Sequence, residues 1–192
     1  ASADAHPSVL KGARMAGLGD AALRLVTTDA SRRMDPQALD ALVEADVVAG
    51  RIPFLVVATA GTTGTGAVDP IGSLTERAGK HGMWLHVDAA WGGAGVLLPE
   101  LRPTFAGIEQ ADSITFDPHT WLSVPMGCGL LLTRRPGIFE RAFDVTAPFL
   151  ADPGPASADP YRRAVRWSRT FAWPRRLLPL AVAGRPGRHA AL

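Results

Sequence analysis

The segment Trp84-Leu85-His86-Val87-Asp88-Ala89-Ala90 sets the pattern for the whole chain. Residues 84–87 have the make-up of a short strand, and the strand delivers a carboxylate, Asp88, at its end. Trp91 and the small pair Gly92-Gly93 follow at once, so the chain turns sharply there. Open α/β sheets bind their ligands just past strand ends. A carboxylate in that position can hold a protonated heterocycle nitrogen through a charged hydrogen bond. It can equally cap a helix or pair with a buried cation. His86 is expected on the strand face opposite Val87 and the neighbours of Asp88, and no carboxylate–histidine group has metal-ligand spacing.

Outward from this strand, apolar runs alternate with capped helices. Residues 23–27 read as a first short strand. Asp35-Pro36 offers an N-cap followed by proline in the first helical turn, and Leu39, Leu42, Ala45 and Val48 recur at helical spacing up to Gly50. Residues 52–60 are an almost continuous apolar run, as in a parallel strand covered on both faces. Asp69-Pro70 then opens a helix carrying Ile71, Leu74 and Ala78, with Gly82 as its stop. Residues 112–116 and 129–133 complete five strands, and a further helix is expected over 136–143. The pattern predicts an α/β domain with a mainly parallel sheet flanked by helices. A larger native sheet would leave an edge of these strands uncovered. Residues 1–146 carry this alternation. Residues 147–192, with Pro148, Pro153, Gly154, Pro155, Pro160, Pro174 and Pro186-Gly187, read as a proline-rich loop and a helical or irregular end of the same domain.

Composition narrows the function classes. With 192 residues, 47% apolar and 20% charged, the chain can build a hydrophobic core and is not of the disordered class. No apolar run approaches the roughly 20 residues that span a bilayer, so no membrane partner is expected. The single cysteine, Cys128, excludes an internal disulfide framework and a multi-cysteine zinc site, and reads as a small buried residue. Net charge is +2. Arginines crowd the end (Arg162, Arg163, Arg166, Arg169, Arg175, Arg176, Arg185, Arg188), which reads as a solvated face, without any signature of nucleic-acid binding. The expected location is cytoplasmic.

Two more polar clusters follow strand ends. Thr59-Ala60-Gly61-Thr62-Thr63-Gly64-Thr65-Gly66 combines backbone freedom with hydroxyl donors, yet it lacks phosphate-loop or dinucleotide spacing. A structural turn explains it as well as a ligand loop does. Asp112-Ser113-Ile114-Thr115-Phe116-Asp117-Pro118-His119-Thr120-Trp121 leaves its strand at Pro118, and His119 there can bind an anion or carry a proton. Ser113, His119 and Asp88 could be drawn as a hydrolytic triad, but no Gly-x-Ser-x-Gly elbow supports one.

As an ordered set these segments resemble the group II pyridoxal-phosphate-dependent decarboxylases, the aromatic-amino-acid and glutamate decarboxylases among them. The match runs from about His6 to Thr133 through Ala5-His6-x-Ser8-x-x-Lys11-Gly12, Thr59-Ala60-Gly61-Thr62-Thr63-Gly64, the Asp88 strand, and Asp117-Pro118-His119-Thr120-Trp121, with a weaker echo at Trp167-Ser168-Arg169-Thr170-Phe171. The resemblance implies the large domain of an aspartate-aminotransferase-like, fold-type I protein using pyridoxal 5′-phosphate. By the same resemblance His6 lies over one face of the cofactor ring and Ala90 packs on the other. Asp88 pairs with the ring nitrogen, Thr63 belongs to the pocket, and His119 contacts the phosphate side. The implied reaction removes the α-carboxylate of an L-amino acid, in a protein that is a homodimer when full length. In that family part of the phosphate cup precedes His6, and Tyr161 falls where a catalytic loop can supply a tyrosine.

One position departs from the family pattern. Where the resemblance places the Schiff-base lysine, this sequence has Thr120, and a hydroxyl cannot form an imine. Lys11 and Lys80 are the only lysines, and each is expected on a helix with no reason to replace the missing amine. The expectation is a carboxy-lyase-family protein with impaired activity and no covalent cofactor attachment. A non-catalytic binding or assembly homologue, or another pyridoxal-phosphate reaction, stands as the alternative.

Overall fold

A computed structural model describes residues 1–127, 129–145 and 159–168. Cys128, the proline-rich stretch from Pro148 to Pro155, Arg169 to Phe171, Pro174 and the terminal arginines lie outside the described residues. Strands β1 (Leu55–Thr59), β2 (Trp84–Asp88), β3 (Ser113–Phe116) and β4 (Leu130–Thr133) form one sheet in the order β1-β2-β3-β4. The first three are parallel and β4 runs antiparallel to β3.

Helix α1 (Ser8–Met15) precedes the sheet, while α2 (Pro36–Val48) and α3 (Ile71–Lys80) pack on its core face. Asp35 caps α2 as its sequence predicts, accepting from the N–H groups of Gln37 and Ala38. Gly82, at φ 64°, ends the turn after α3. Ile71 and Leu74 of α3 are 1% and 0% exposed against Leu85 and Val87 of β2. Full burial of each such side chain stabilises the fold by about 1.5–3 kcal/mol. Short helices α4 (Pro118–Trp121) and α5 (Ile138–Phe143) follow β3 and β4. Asp112 fastens the start of β3: its carboxylate accepts from the Leu85 N–H at 2.9 Å and from Arg135 Nε at 2.7 Å.

Three local expectations need correction. Residues 23–27 form no strand, only an isolated bridge from Val26 to Ser2. Val26 pairs with Ala1 and Ala3 through both its backbone groups, and a ladder needs a partner along its whole length. Asp69 does not cap α3. Its side chain, 1% exposed, turns inward and accepts from the backbone N–H groups of Met34 at 2.6 Å and Thr59 at 2.8 Å, so it ties two loops together. The strand expected within 52–60 is present as β1, starting at Leu55 because Pro53 lacks an N–H and Ile52 is exposed. The helix expected over 136–143 begins at Ile138, behind Gly137 at φ 72°.

Candidate cofactor site

Side chains alternate across a strand, so the two faces of this sheet differ in chemistry. Val56, Ala58, Leu85, Val87 and Ile114 enter the core packed by α2 and α3. The other face carries Val57 and Thr59 of β1, His86 and Asp88 of β2, and Ser113 and Thr115 of β3. The parallel register sets Thr59 beside Asp88 and Asp88 beside Thr115, a polar row across the ends of three strands. His86 sits one row below, beside Val57 and Ser113. The sequence reading put His86 apart from the neighbours of Asp88. It shares their face, as period-two alternation from Asp88 requires.

The row opens into a cleft of about 1010 Å³ whose walls include His6, Thr59, Thr63, His86, Asp88, Ala90, Trp91, Thr115, Asp117 and Thr120. The loops after β1 and β2 meet backbone to backbone beneath it. A Cβ on Gly61 would lie 2.7 Å from the Gly92 Cα, and one on Gly92 would lie 2.5 Å from the Ala60 carbonyl oxygen, so neither position admits a side chain. Part of the threonine-rich loop serves the turn itself. Thr62 Oγ1 is 2.6 Å from Thr65 Oγ1 and accepts from the Ala67 N–H at 3.1 Å, while Thr63 stays on the cleft wall.

Asp88 Oδ1 accepts from the Ala90 N–H at 3.1 Å, and Oδ2 takes no hydrogen bond among the described residues. Thr59 Oγ1, next to it in the row, is buried and has no partner among the described residues. His6 stands exposed at the start of α1, with Nδ1 2.8 Å from Ser8 Oγ. Thr120, on α4, donates from Oγ1 to the Asp117 carbonyl at 2.8 Å, and the same oxygen lies 3.2 Å from the Ala90 carbonyl oxygen. Five of the six residues singled out from sequence therefore meet in one cleft: His6, Thr63, Asp88, Ala90 and Thr120. His119, beside them on α4, is not among the described lining residues, and its Nε2 lies 3.9 Å from Asp117 Oδ2.

Ser113 belongs to His86, not to His119, with Oγ 2.8 Å from His86 Nδ1, so no hydrolytic triad forms. Neither Lys11 nor Lys80 lines the cleft. Tyr161 stacks on Trp167 at a centroid distance of 5.3 Å, and it is likewise not among the lining residues. No metal-binding group of side chains occurs among the described residues, and no helix among them is long and apolar enough to cross a membrane. Burial lowers the pKa of His86 from its usual value, against a smaller opposing effect from Asp88. Its ring is therefore neutral near pH 7.

The protein-family model described as the pyridoxal-dependent decarboxylase conserved domain matches residues 1–184. The chain belongs to this family. It is 41% identical over 133 residues to cysteine sulfinic acid decarboxylase of Rattus norvegicus, covering 69% of this chain and 27% of that protein. Aromatic-L-amino-acid decarboxylase of Catharanthus roseus is 38% identical over 147 residues, covering 76% and 29% of the two chains. Among solved structures, mouse CSAD in apo form superposes with a TM-score of 0.91 at 33% identity, over 98% of this chain and 40% of that one. Oryza sativa TDC with PLP and tryptamine gives 0.92 at 30% identity, over 97% and 39%. The fold is thus that of the fold-type I decarboxylases, and this decarboxylase-family chain spans well under half the length of these relatives.

Proposed function

We propose that the chain is part of the large domain of a pyridoxal-5′-phosphate-dependent carboxy-lyase acting on an L-amino acid, with turnover impaired by Thr120. Residues 1–146 form the bulk of that domain in this reading, and 147–192 belong to it as well. The full-length protein is read as a cytoplasmic homodimer.

The donor set supports the cofactor. A flat heteroaromatic cation needs a carboxylate at its ring nitrogen, and Asp88 Oδ2 has no protein donor among the described residues. The buried hydroxyl of Thr59 beside it, without a partner among the described residues, calls for a polar ligand atom or water. In this assignment Asp88 holds the protonated ring nitrogen and His6 covers one ring face. Ala90 packs on the other face, Thr63 closes a wall, and His119 serves the phosphate side from α4. When bound, the cofactor supplies an electron sink for the pair left at the substrate Cα as the carboxylate departs. The protein's share is orientation, and Asp88 keeps the ring cationic so that this sink is effective.

The observation that carries the impairment is the setting of Thr120. Its hydroxyl enters the same cleft as Asp88, yet it is spent on backbone carbonyl oxygens and has no amine to offer. A substrate amine must then meet a cofactor held without a covalent link. Titration of the full-length protein with pyridoxal 5′-phosphate, with and without amino acids, tests this. Reversible binding with carbon dioxide release far below that of a Thr120→Lys variant supports it. Rapid multiple turnover by the natural protein defeats it, and no cofactor binding defeats the decarboxylase reading altogether. Thr120 also favours a second reading, a non-catalytic binding or assembly protein on the same scaffold. That reading expects cofactor binding with no carbon dioxide released from any amino acid.

A further inference from the structure

A chain of side-chain hydrogen bonds crosses the cleft face from β2 to β3 and back. Trp84 Nε1 donates to Ser113 Oγ at 2.8 Å, Ser113 Oγ lies 2.8 Å from His86 Nδ1, and His86 Nε2 lies 3.0 Å from Thr115 Oγ1. The indole N–H can only donate, which gives the chain a direction. Ser113 is 8% exposed, and its hydroxyl hydrogen has no acceptor among the described residues except His86 Nδ1. If Nδ1 carried the proton, Ser113 would accept twice and bury an unsatisfied hydrogen, at a cost of about 1–3 kcal/mol. The lower-energy arrangement has Ser113 donating to Nδ1 and the neutral ring protonated on Nε2, donating to Thr115. Thr115 Oγ1 is then an acceptor toward His86, and its own hydrogen is left for a different partner. Thr115 lines the cleft next to Asp88 in the sheet register, and it donates to no described residue.

We infer that Thr115 is a ligand-binding residue: its hydroxyl, oriented by the Trp84–Ser113–His86 relay, donates to an oxygen acceptor of the molecule whose cationic nitrogen Asp88 holds. The ligand class is a compact heterocycle with an N–H⁺ and a phenolate, carbonyl or carboxylate oxygen within reach of the strand ends. The inference rests on the cofactor reading above and adds a contact to it. His86 is a positioning residue in this arrangement and touches no ligand.

Two measurements on the full-length protein separate the outcomes. Two-bond proton–nitrogen NMR correlations of the histidine rings report the tautomer without any ligand. Nε2–H on His86 is expected, and Nδ1–H overturns the relay. Pyridoxal 5′-phosphate titration then compares wild type, Thr115→Val and Thr115→Ser. Valine is expected to weaken binding about tenfold, the worth of one hydrogen bond. Serine is expected to restore it, which a packing defect from altered volume would not give. His86→Gln, whose amide can donate to Thr115, should bind more tightly than His86→Leu. Equal affinity for wild type and Thr115→Val sinks this inference and leaves the cofactor reading intact. Failure of the wild type to bind sinks both.

Discussion

Thr120 Oγ1 lies 3.2 Å from the carbonyl oxygen of Ala90, so α4 reaches across to the turn that follows Asp88. Thr120, which the proposed reading sets in the place of the family's lysine, thus faces the segment that carries Asp88 and Ala90. An amine introduced there would stand at the cleft, because the position is exposed and already lines it. We expect Thr120→Lys to bind pyridoxal 5′-phosphate covalently, with a borohydride-stable mass increment on the peptide carrying residue 120. Wild type should show none, and an increment on the Lys11 or Lys80 peptide of the wild type would refute the assignment.

Asp88→Asn keeps the shape of the strand end but removes the charge. The lost charged hydrogen bond is worth about 1.5–3 kcal/mol, so affinity for pyridoxal 5′-phosphate should fall roughly ten- to hundredfold. Fluorescence titration measures it. Unchanged affinity would place the cofactor nitrogen elsewhere.

Asp69 is a matter of stability, since its two oxygens serve two buried backbone donors, Met34 and Thr59. Asp69→Asn offers one acceptor and sets an amide N–H₂ against the other donor. A loss of about 1–3 kcal/mol is expected in denaturant unfolding. A helix-cap role, as read from sequence, would instead let asparagine substitute with little loss.

The pH dependence of stability carries the mark of His86. Burial lowers its folded pKa below the ordinary 6.5, so between the two values the unfolded chain binds a proton that the folded chain does not. Stability from this group is full above 6.5 and is lost as pH falls toward the lowered value. His86→Leu should remove that contribution, so the difference in unfolding free energy between wild type and variant should shift against the wild type from pH 7.5 to pH 5.5. A difference constant over that range would show that His86 titrates normally.

Glycines separate by the space around them. Gly92→Ala drives a Cβ to 2.5 Å from the Ala60 carbonyl oxygen and should cost about 1–3 kcal/mol, with loss of the cleft floor. Gly79→Ala, in α3 with nothing within 4 Å, should stabilise by about 0.5–1 kcal/mol. Thermal melts of the two variants should therefore move in opposite directions.

The alternation of strands and helices, the strand end that bears Asp88, the turn that leads to Thr120 and membership in the family are all legible in the amino-acid sequence. These are legible because strand composition, the Asp35 cap and turn glycines act over a few residues. The sequence overstated the segment at 23–27, whose apolar residues fit a strand but which forms just one isolated bridge among the described residues, from Val26 to Ser2. It also took Asp69-Pro70 for a helix cap, because capping is a local rule and the competing donors, Met34 and Thr59, are 35 and 10 residues away. It took the packed fold to show that Thr59, Asp88 and Thr115 form one row, and that Ser113 serves His86 rather than His119. Inter-strand register depends on how three separated segments pack, and no local pattern encodes it. What Thr120 means follows from both. The sequence puts a hydroxyl at this position, and the fold turns it to the Asp117 carbonyl and sets it beside those of Ala90 and Trp91 at the same cleft.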